Sequence, residues 1–263
     1  MKIATVLNSH SPDLAADTIE SILAYVGKDV LLVVDGCAWS KFEAVDFPVQ
    51  KVSGFRHGKN KAPYRNVALG LQLAWEQFPD CDWICYCESD VIFASQRFQV
   101  NLQMASDQGI WMLGNDGHVD DKTMPLVESL VGGKFRSIYY LLGCCQFFSR
   151  KFMQKLTDIK FFDRFLFLTN DFPPGYFPSY SGYDISEHMY PTLCRHFGGA
   201  VGVWATWDQE QWHGAYHYFP MRWKPELDPA TDPYQDASIL HPLKEMLNPI
   251  RVFHKERRKC LPP

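Results

Sequence analysis

Trp83-Ile84-Cys85-Tyr86-Cys87-Glu88-Ser89-Asp90 is a near-continuous apolar run that ends in two acids separated by one residue. A short apolar run of this kind reads as a strand buried on both faces, as a parallel sheet requires. Strand positions i and i+2 share a face, so Glu88 and Asp90 are expected to project together from the strand's end. Taken alone, an acid-x-acid triplet is equally at home in a solvated loop or at a helix N-cap. Here apolar Val91-Ile92-Phe93 follows instead of further polar loop, and that context favours a site.

Working outward, the first half alternates strand and helix signals, the pattern of an α/β fold with a mainly parallel sheet and helices on both faces. Residues 2–8 read as a first strand ending near Asn8. Ser11-Pro12 opens a helix, Leu14, Thr18, Ile19, Ile22, Leu23 and Val26 recur at helical spacing, and Gly27 ends it. A second strand, 30–34, stops at Asp35, at the carboxyl end where open α/β sheets bind ligands. A short helix, a strand near 49–53, a polar loop over 54–61 and a helix opening at Pro63 with Arg65 and Asn66 lead to the acidic strand. A helix near 95–107 and a strand at 110–114 follow. Beyond residue 120 the periodicity weakens, with one amphipathic helix near 183–197. Residues 1–120 are therefore expected to form a regular, ligand-binding half and 121–263 a second, less regular half of one compact domain.

The chain is 263 residues long and 46% hydrophobic, enough to bury a substantial core. With 26 basic and 30 acidic residues its net charge is -4, without the basic excess of a nucleic-acid footprint. Aromatic residues crowd between Trp204 and Trp223, as sugar stacking or an ordinary core would both require. None of the eight cysteines forms a paired Cys-x-x-Cys zinc spacing, so reduced and mostly buried thiols are expected. No run of 18 apolar residues and no signal-peptide pattern is present, and a cytoplasmic protein is expected. His254 to Lys259 holds five basic or potentially basic residues out of six, either a solvated tail or a contact to anionic lipid at the inner membrane face.

In motif and motif order the sequence resembles the GT-A glycosyltransferases, particularly the family-2-like inverting enzymes, across nearly its whole length. Val33-Val34-Asp35-Gly36 looks like that family's second-strand segment, whose acid contacts the nucleoside base. Pro63-Tyr64-Arg65-Asn66-Val67-Ala68-Leu69-Gly70 is similar to its Arg-Asn helix segment, and Glu88-Ser89-Asp90 takes the place of its Asp-x-Asp. Gly143-Cys144-Cys145-Gln146-Phe147-Phe148 resembles the small-residue strand that floors its acceptor site. Two departures stand out: the second strand carries one acid where two are usual, and the metal triplet begins with Glu.

The resemblance implies a divalent cofactor, Mn2+ or Mg2+, on Asp90 and Glu88, since charge developing on a leaving diphosphate needs an oxygen-ligated cation. It implies a nucleotide-diphosphate sugar as donor, a glycan or glycolipid-type acceptor, and Asn8, Asp35, Arg65, Glu88, Ser89 and Lys244 as donor-side residues. It also implies a late histidine ligand, for which His241 and His213 both qualify, and a base on a late helix, for which Asp184 and Glu187 both qualify. A spacing of three leaves those two acids on nearly one helical face, so sequence does not separate them, and Asp184 is preferred for lying nearer the loop 178–182 expected to border the acceptor. A sugar nucleotidyltransferase would need a Gly-rich first loop, and Asn8-Ser9-His10-Ser11-Pro12 has no glycine. A retaining transferase and a catalytically silent relic of the fold remain as alternatives.

Overall fold

The computed structural model of the chain describes residues 1–58, 63–120, 123–173, 185–203, 221–223 and 237–261. Strand β1 (Ile3–Ser9) is followed by α1 (Pro12–Tyr25), β2 (Val30–Val34), the short α2 (Trp39–Phe42) and β3 (Gln50–Ser53). Then come α3 (Tyr64–Gln77), β4 (Trp83–Glu88), β5 (Ile92–Phe93), α4 (Phe98–Asp107) and β6 (Ile110–Asp120). The second half supplies α5 (Pro125–Val131), β7 (Ile138–Ser149), α6 (Arg150–Asp158), α7 (Phe161–Leu168), α8 (Ser186–His196) and β8 (Ala200–Val203). Strands β9 (Met221–Trp223) and β10 (Ile239–His241) and helix α9 (Pro249–Lys259) complete it.

Seven strands form one sheet in the order β3-β2-β1-β4-β7-β6-β8, in which β7 alone runs against the rest. Period-two alternation along β4 divides the core. Ile84 and Tyr86 face a cluster with Tyr64, Val67 and Leu71 of α3 and Phe161 and Phe165 of α7. Trp83, Cys85 and Cys87 face the opposite cluster with Ala15, Ile19 and Ile22 of α1 and Phe98 and Leu102 of α4. Both faces are thus covered, which is why β4 reads as uninterrupted apolar sequence. The parallel strands β1, β2 and β4 end at the same sheet edge, bringing Asn8, Asp35 and Glu88 to one rim.

Several expectations are revised. Ser89 and Asp90 do not prolong β4: Val91 N–H donates to the Glu88 carbonyl at 3.1 Å, closing a turn that redirects the chain into β5. The strand expected at 110–114 runs on to Asp120, because its second half pairs with the long β7. Helices α5, α6 and α7 fill a stretch where the periodicity is too weak to announce them. In α7, Phe-Phe-Asp-Arg-Phe-Leu-Phe-Leu leaves little polar face to reveal a helical period. The basic C-terminus is no tail. It is α9, capped by the Asn248 side chain and docked through Ile250, Arg251 and His254.

Candidate functional site

The rim where β1, β2 and β4 end carries the acidic triplet, and the small sheet β5-β10-β9 delivers a histidine to it. Strand β10 pairs antiparallel with β5, Leu240 opposite Ile92, so His241 emerges beside the Ser89-Asp90 turn. Leu243 N–H then donates to the Asp90 carbonyl at 2.8 Å, tying the two segments beyond the ladder. As a result, ligand atoms of Glu88, Asp90 and His241 all lie within 4.8 Å of one another, the one such group among the described residues. Two carboxylates and an imidazole form a donor set that a divalent ion of the manganese type accepts.

Electrostatics ties these groups together. His241 Nε2 lies 3.2 Å from Asp90 Oδ1. Burial by itself would raise the Asp90 pKa, but the hydrogen bond and charge of His241, helped by Lys244, outweigh it and hold the carboxyl below its ordinary value. Lys244 is itself exposed, with its charge near the triplet.

On the other side of β4 stands β7. The β4-β7 ladder runs to Cys87 opposite Cys145, so Cys144 and Gly143 follow on β7 beside the end of β4. Glu187, in the first turn of α8, reaches Gly143 and accepts its N–H through Oε1 at 2.8 Å. The approach depends on glycine: a Cβ at residue 143 would stand 2.8 Å from Glu187 Cγ and 2.9 Å from Oε1. The buried Cys144 thiol has its pKa pushed well up, first by burial and further by its electrostatic interaction with Cys145, Glu88, Asp90 and Glu187. One buried thiol therefore feels both the triplet and the helix acid. His188, next in sequence, is buried against Asp120 at 2.8 Å and fastens α8 to the end of β6.

No family model matches the sequence, and no curated protein matches it. Similar solved structures include glycosyltransferases and nucleotidyltransferases. One is a glycosyltransferase involved in glycosylation of the major capsid of PBCV-1, at 13% identity, covering 99% of this chain and 100% of that one, with a TM-score of 0.44. Another is the glycosyltransferase GlyE of Streptococcus pneumoniae TIGR4, at 11% identity, covering 100% of this chain and 61% of that one, with a TM-score of 0.45. A third is CMP:2-keto-3-deoxy-manno-octonic acid synthetase complexed with CTP, at 10% identity, 78% and 90% coverage and a TM-score of 0.42. Likeness of this degree says nothing of activity, which has to be read from the site itself.

Of the expected residues, Glu88, Ser89, Asp90, His241 and Lys244 come together at the rim, with Asn8 directly opposite Glu88 in the ladder. Asn8 Nδ2 lies 3.4 Å from the Tyr86 hydroxyl, a partner that sequence did not suggest. Asp35 has a structural task at this rim. Its two oxygens accept the backbone N–H groups of Cys37, His57 and Gly58 at 2.8, 3.1 and 2.9 Å, so the carboxylate organises the loop after β3. Arg65 lies over the Phe55 ring, 3.6 Å from its centroid, and donates to Asn170. Asn66 exchanges hydrogen bonds with the Phe55 backbone, and both residues brace that loop. Asp184 and His213 lie outside the described residues.

Sequence reasoning missed Arg251, whose side chain is fully buried and reaches the Ser89 carbonyl at 3.1 Å. The signal was there: Asn248-Pro249 is an N-cap followed by proline at the first helical position, which announces α9 and places Arg251 in its first turn.

Proposed function

We propose that the chain is a metal-dependent glycosyltransferase that moves a sugar from a nucleotide-diphosphate donor to a hydroxyl of a glycan or glycolipid-type acceptor with inversion. The observation that carries this is the convergence of Glu88, Asp90 and His241 within 4.8 Å at the sheet rim, with Glu187 held opposite on Gly143. Glu88, Asp90 and His241 would hold Mn2+ or Mg2+, and the bound ion would offset the charge that the leaving diphosphate acquires. The imidazole donor favours manganese over magnesium, which prefers an all-oxygen shell.

Residues 1–120 then receive the donor. Asn8, Asp35 and Arg65 border its nucleoside side, Asp35 acting through the loop it organises, and Lys244 meets a phosphate. Residues 121–263 receive the acceptor. The acceptor hydroxyl oxygen bonds to the anomeric carbon, the bond from that carbon to the diphosphate oxygen breaks with its electron pair on the diphosphate, and the hydroxyl proton passes to a carboxylate. Glu187 is the carboxylate we assign, with Asp184 as the other candidate. A base must stand within hydrogen-bond reach of the hydroxyl, and the hydrogen bond that holds the Glu187 carboxylate on Gly143 N–H of β7 supports the assignment.

No helix among the described residues is long and apolar enough to cross a membrane. The outward side of α9 shows Val252, Phe253, Arg257 and Lys259, which supports a peripheral contact to anionic lipid from the cytoplasmic side. The function is tested by incubating the protein with a panel of nucleotide sugars, manganese and glycan acceptors and following the released nucleotide. Release of nucleoside diphosphate with an inverted anomer is expected. Pyrophosphate release from nucleoside triphosphate and sugar phosphate would instead establish a nucleotidyltransferase, and failure to bind any nucleotide with or without manganese would overturn the reading.

A further inference from the structure

Arg251 joins three parts of the chain, the turn after β4, the segment after β10 and helix α1. Its Nη2 donates to the carbonyl of Ser89 at 3.1 Å and to the carbonyl of Leu243 at 2.9 Å, while Nη1 donates to Asp17 Oδ2 of α1 at 2.6 Å. Ser89 immediately precedes Asp90, and Leu243 follows His241 by two residues. Both carbonyls thus belong to the segments that carry the candidate metal ligands. Past the β5-β10 ladder those segments are also joined by Leu243 N–H to the Asp90 carbonyl and by His241 Nε2 to Asp90 Oδ1.

We propose, on the reading that Glu88, Asp90 and His241 hold a divalent cation, that Arg251 is a positioning residue that sets the separation of Asp90 from His241. A guanidinium is planar and rigid, so two carbonyls bound to one nitrogen are held at a defined distance from each other. Asp17 Oδ2 fixes the plane of that fork, while its other oxygen is engaged by Arg258. Thr18, next to Asp17, adds a second grip: its hydroxyl lies 2.8 Å from the Ser89 carbonyl and 3.0 Å from the Val91 carbonyl. A buried ion pair is weak grounds for stability, because desolvation of both charges offsets their attraction. Its geometry toward the metal-bearing turn is the more specific consequence. Partners one shell out from a metal orient its ligands, and their loss costs about 10- to 100-fold in metal affinity.

The test is manganese binding by the whole chain, measured by calorimetry with Mn2+ alone, with the visible spectrum of the Co2+ form as a reporter of coordination geometry. Arg251→Lys keeps the charge opposite Asp17 but cannot hold two carbonyls with a planar fork. It should weaken Mn2+ about 10-fold or more and change the Co2+ spectrum. Thr18→Val, nearly isosteric, should weaken it by a smaller factor and serves if Arg251→Lys does not fold. Arg258→Lys, which touches Asp17 and Glu20 but neither carbonyl, should leave Mn2+ affinity within twofold even where the melting temperature falls. Unchanged affinity and spectrum in Arg251→Lys, or in Thr18→Val where it stands in, would overturn the proposal, as would equal weakening in Arg258→Lys. A wild-type chain that binds no manganese would remove the underlying metal reading instead.

Discussion

Replacing Gly143 by alanine adds one methyl group where Glu187 leans on the backbone of β7. That methyl would stand 2.8 Å from Cγ, 2.9 Å from Oε1 and 3.3 Å from Cδ of Glu187. Ordinary contact begins near 3.4 Å, so the carboxylate has to retreat by roughly half an ångström or more, and the hydrogen bond from Gly143 N–H at 2.8 Å is stretched or broken. A hydrogen bond to a charged group contributes about 1.5–3 kcal/mol, so a stability loss near the lower end, about 1–2 kcal/mol, is expected. The effect on catalysis should be larger, since a misplacement of about 1 Å can cost on the order of 100-fold in rate. Steady-state sugar transfer, compared with Glu187→Gln and with the thermal midpoint of each variant, separates the two effects. Gly143→Ala should lower kcat roughly 10- to 100-fold with a shift of only a few degrees. If Glu187→Gln is severely impaired while Gly143→Ala transfers at the wild-type rate, the strand does not set the carboxylate's position. If Glu187→Gln is itself nearly normal, Glu187 is not the base and Asp184 takes its place.

Acid should destabilise the fold in a defined window. Burial first of all holds His57 and His254 at pKa values of about 4, with Arg65 acting in the same sense at His57 and Arg257 and Arg258 at His254, against Asp35 and Asp17. Their folded pKa lies below the unfolded value of about 6.5, so the unfolded chain binds more protons in between; stability is complete above about pH 6.5 and falls toward pH 4, by at most about 3 kcal/mol per histidine. Calorimetric melting at pH 7.5 and pH 5 should show the drop, and a flat profile would contradict it. Asp35→Asn replaces one of two accepting oxygens with a donor facing the backbone N–H groups of residues 37, 57 and 58, and should cost about 1–3 kcal/mol by denaturant unfolding while raising the donor KM. A loss of stability without any change in KM would restrict Asp35 to loop support.

The part of the site that was legible in sequence is the part built from consecutive residues. A run such as 83–87 is apolar because helices cover both sheet faces, and the acids at its end stand at the rim because parallel strands finish on one edge. The way Glu88 and Asp90 converge was not legible. It depends on a turn closed by Val91 N–H and on a carbonyl held by Arg251, more than 160 positions away in the chain. His241 could be proposed but not tied to the triplet, since that placement rests on β10 pairing with β5 and short strands leave little period to read. The helices of the second half hid for a related reason: α7 is apolar on nearly every side, and α9 looked like a charged tail because two of its basic residues, Arg251 and Arg258, are turned inward onto Asp17.

The most direct test of the metal centre is a calorimetric titration of the wild-type chain and of Asp90→Asn with manganese in the presence of a nucleoside diphosphate. One ion per chain should bind the wild type, with binding weakened at least 100-fold in Asp90→Asn and the melting temperature of the variant little changed. Equal manganese affinity in the two proteins would place the cation elsewhere and remove Glu88, Asp90 and His241 from the chemistry.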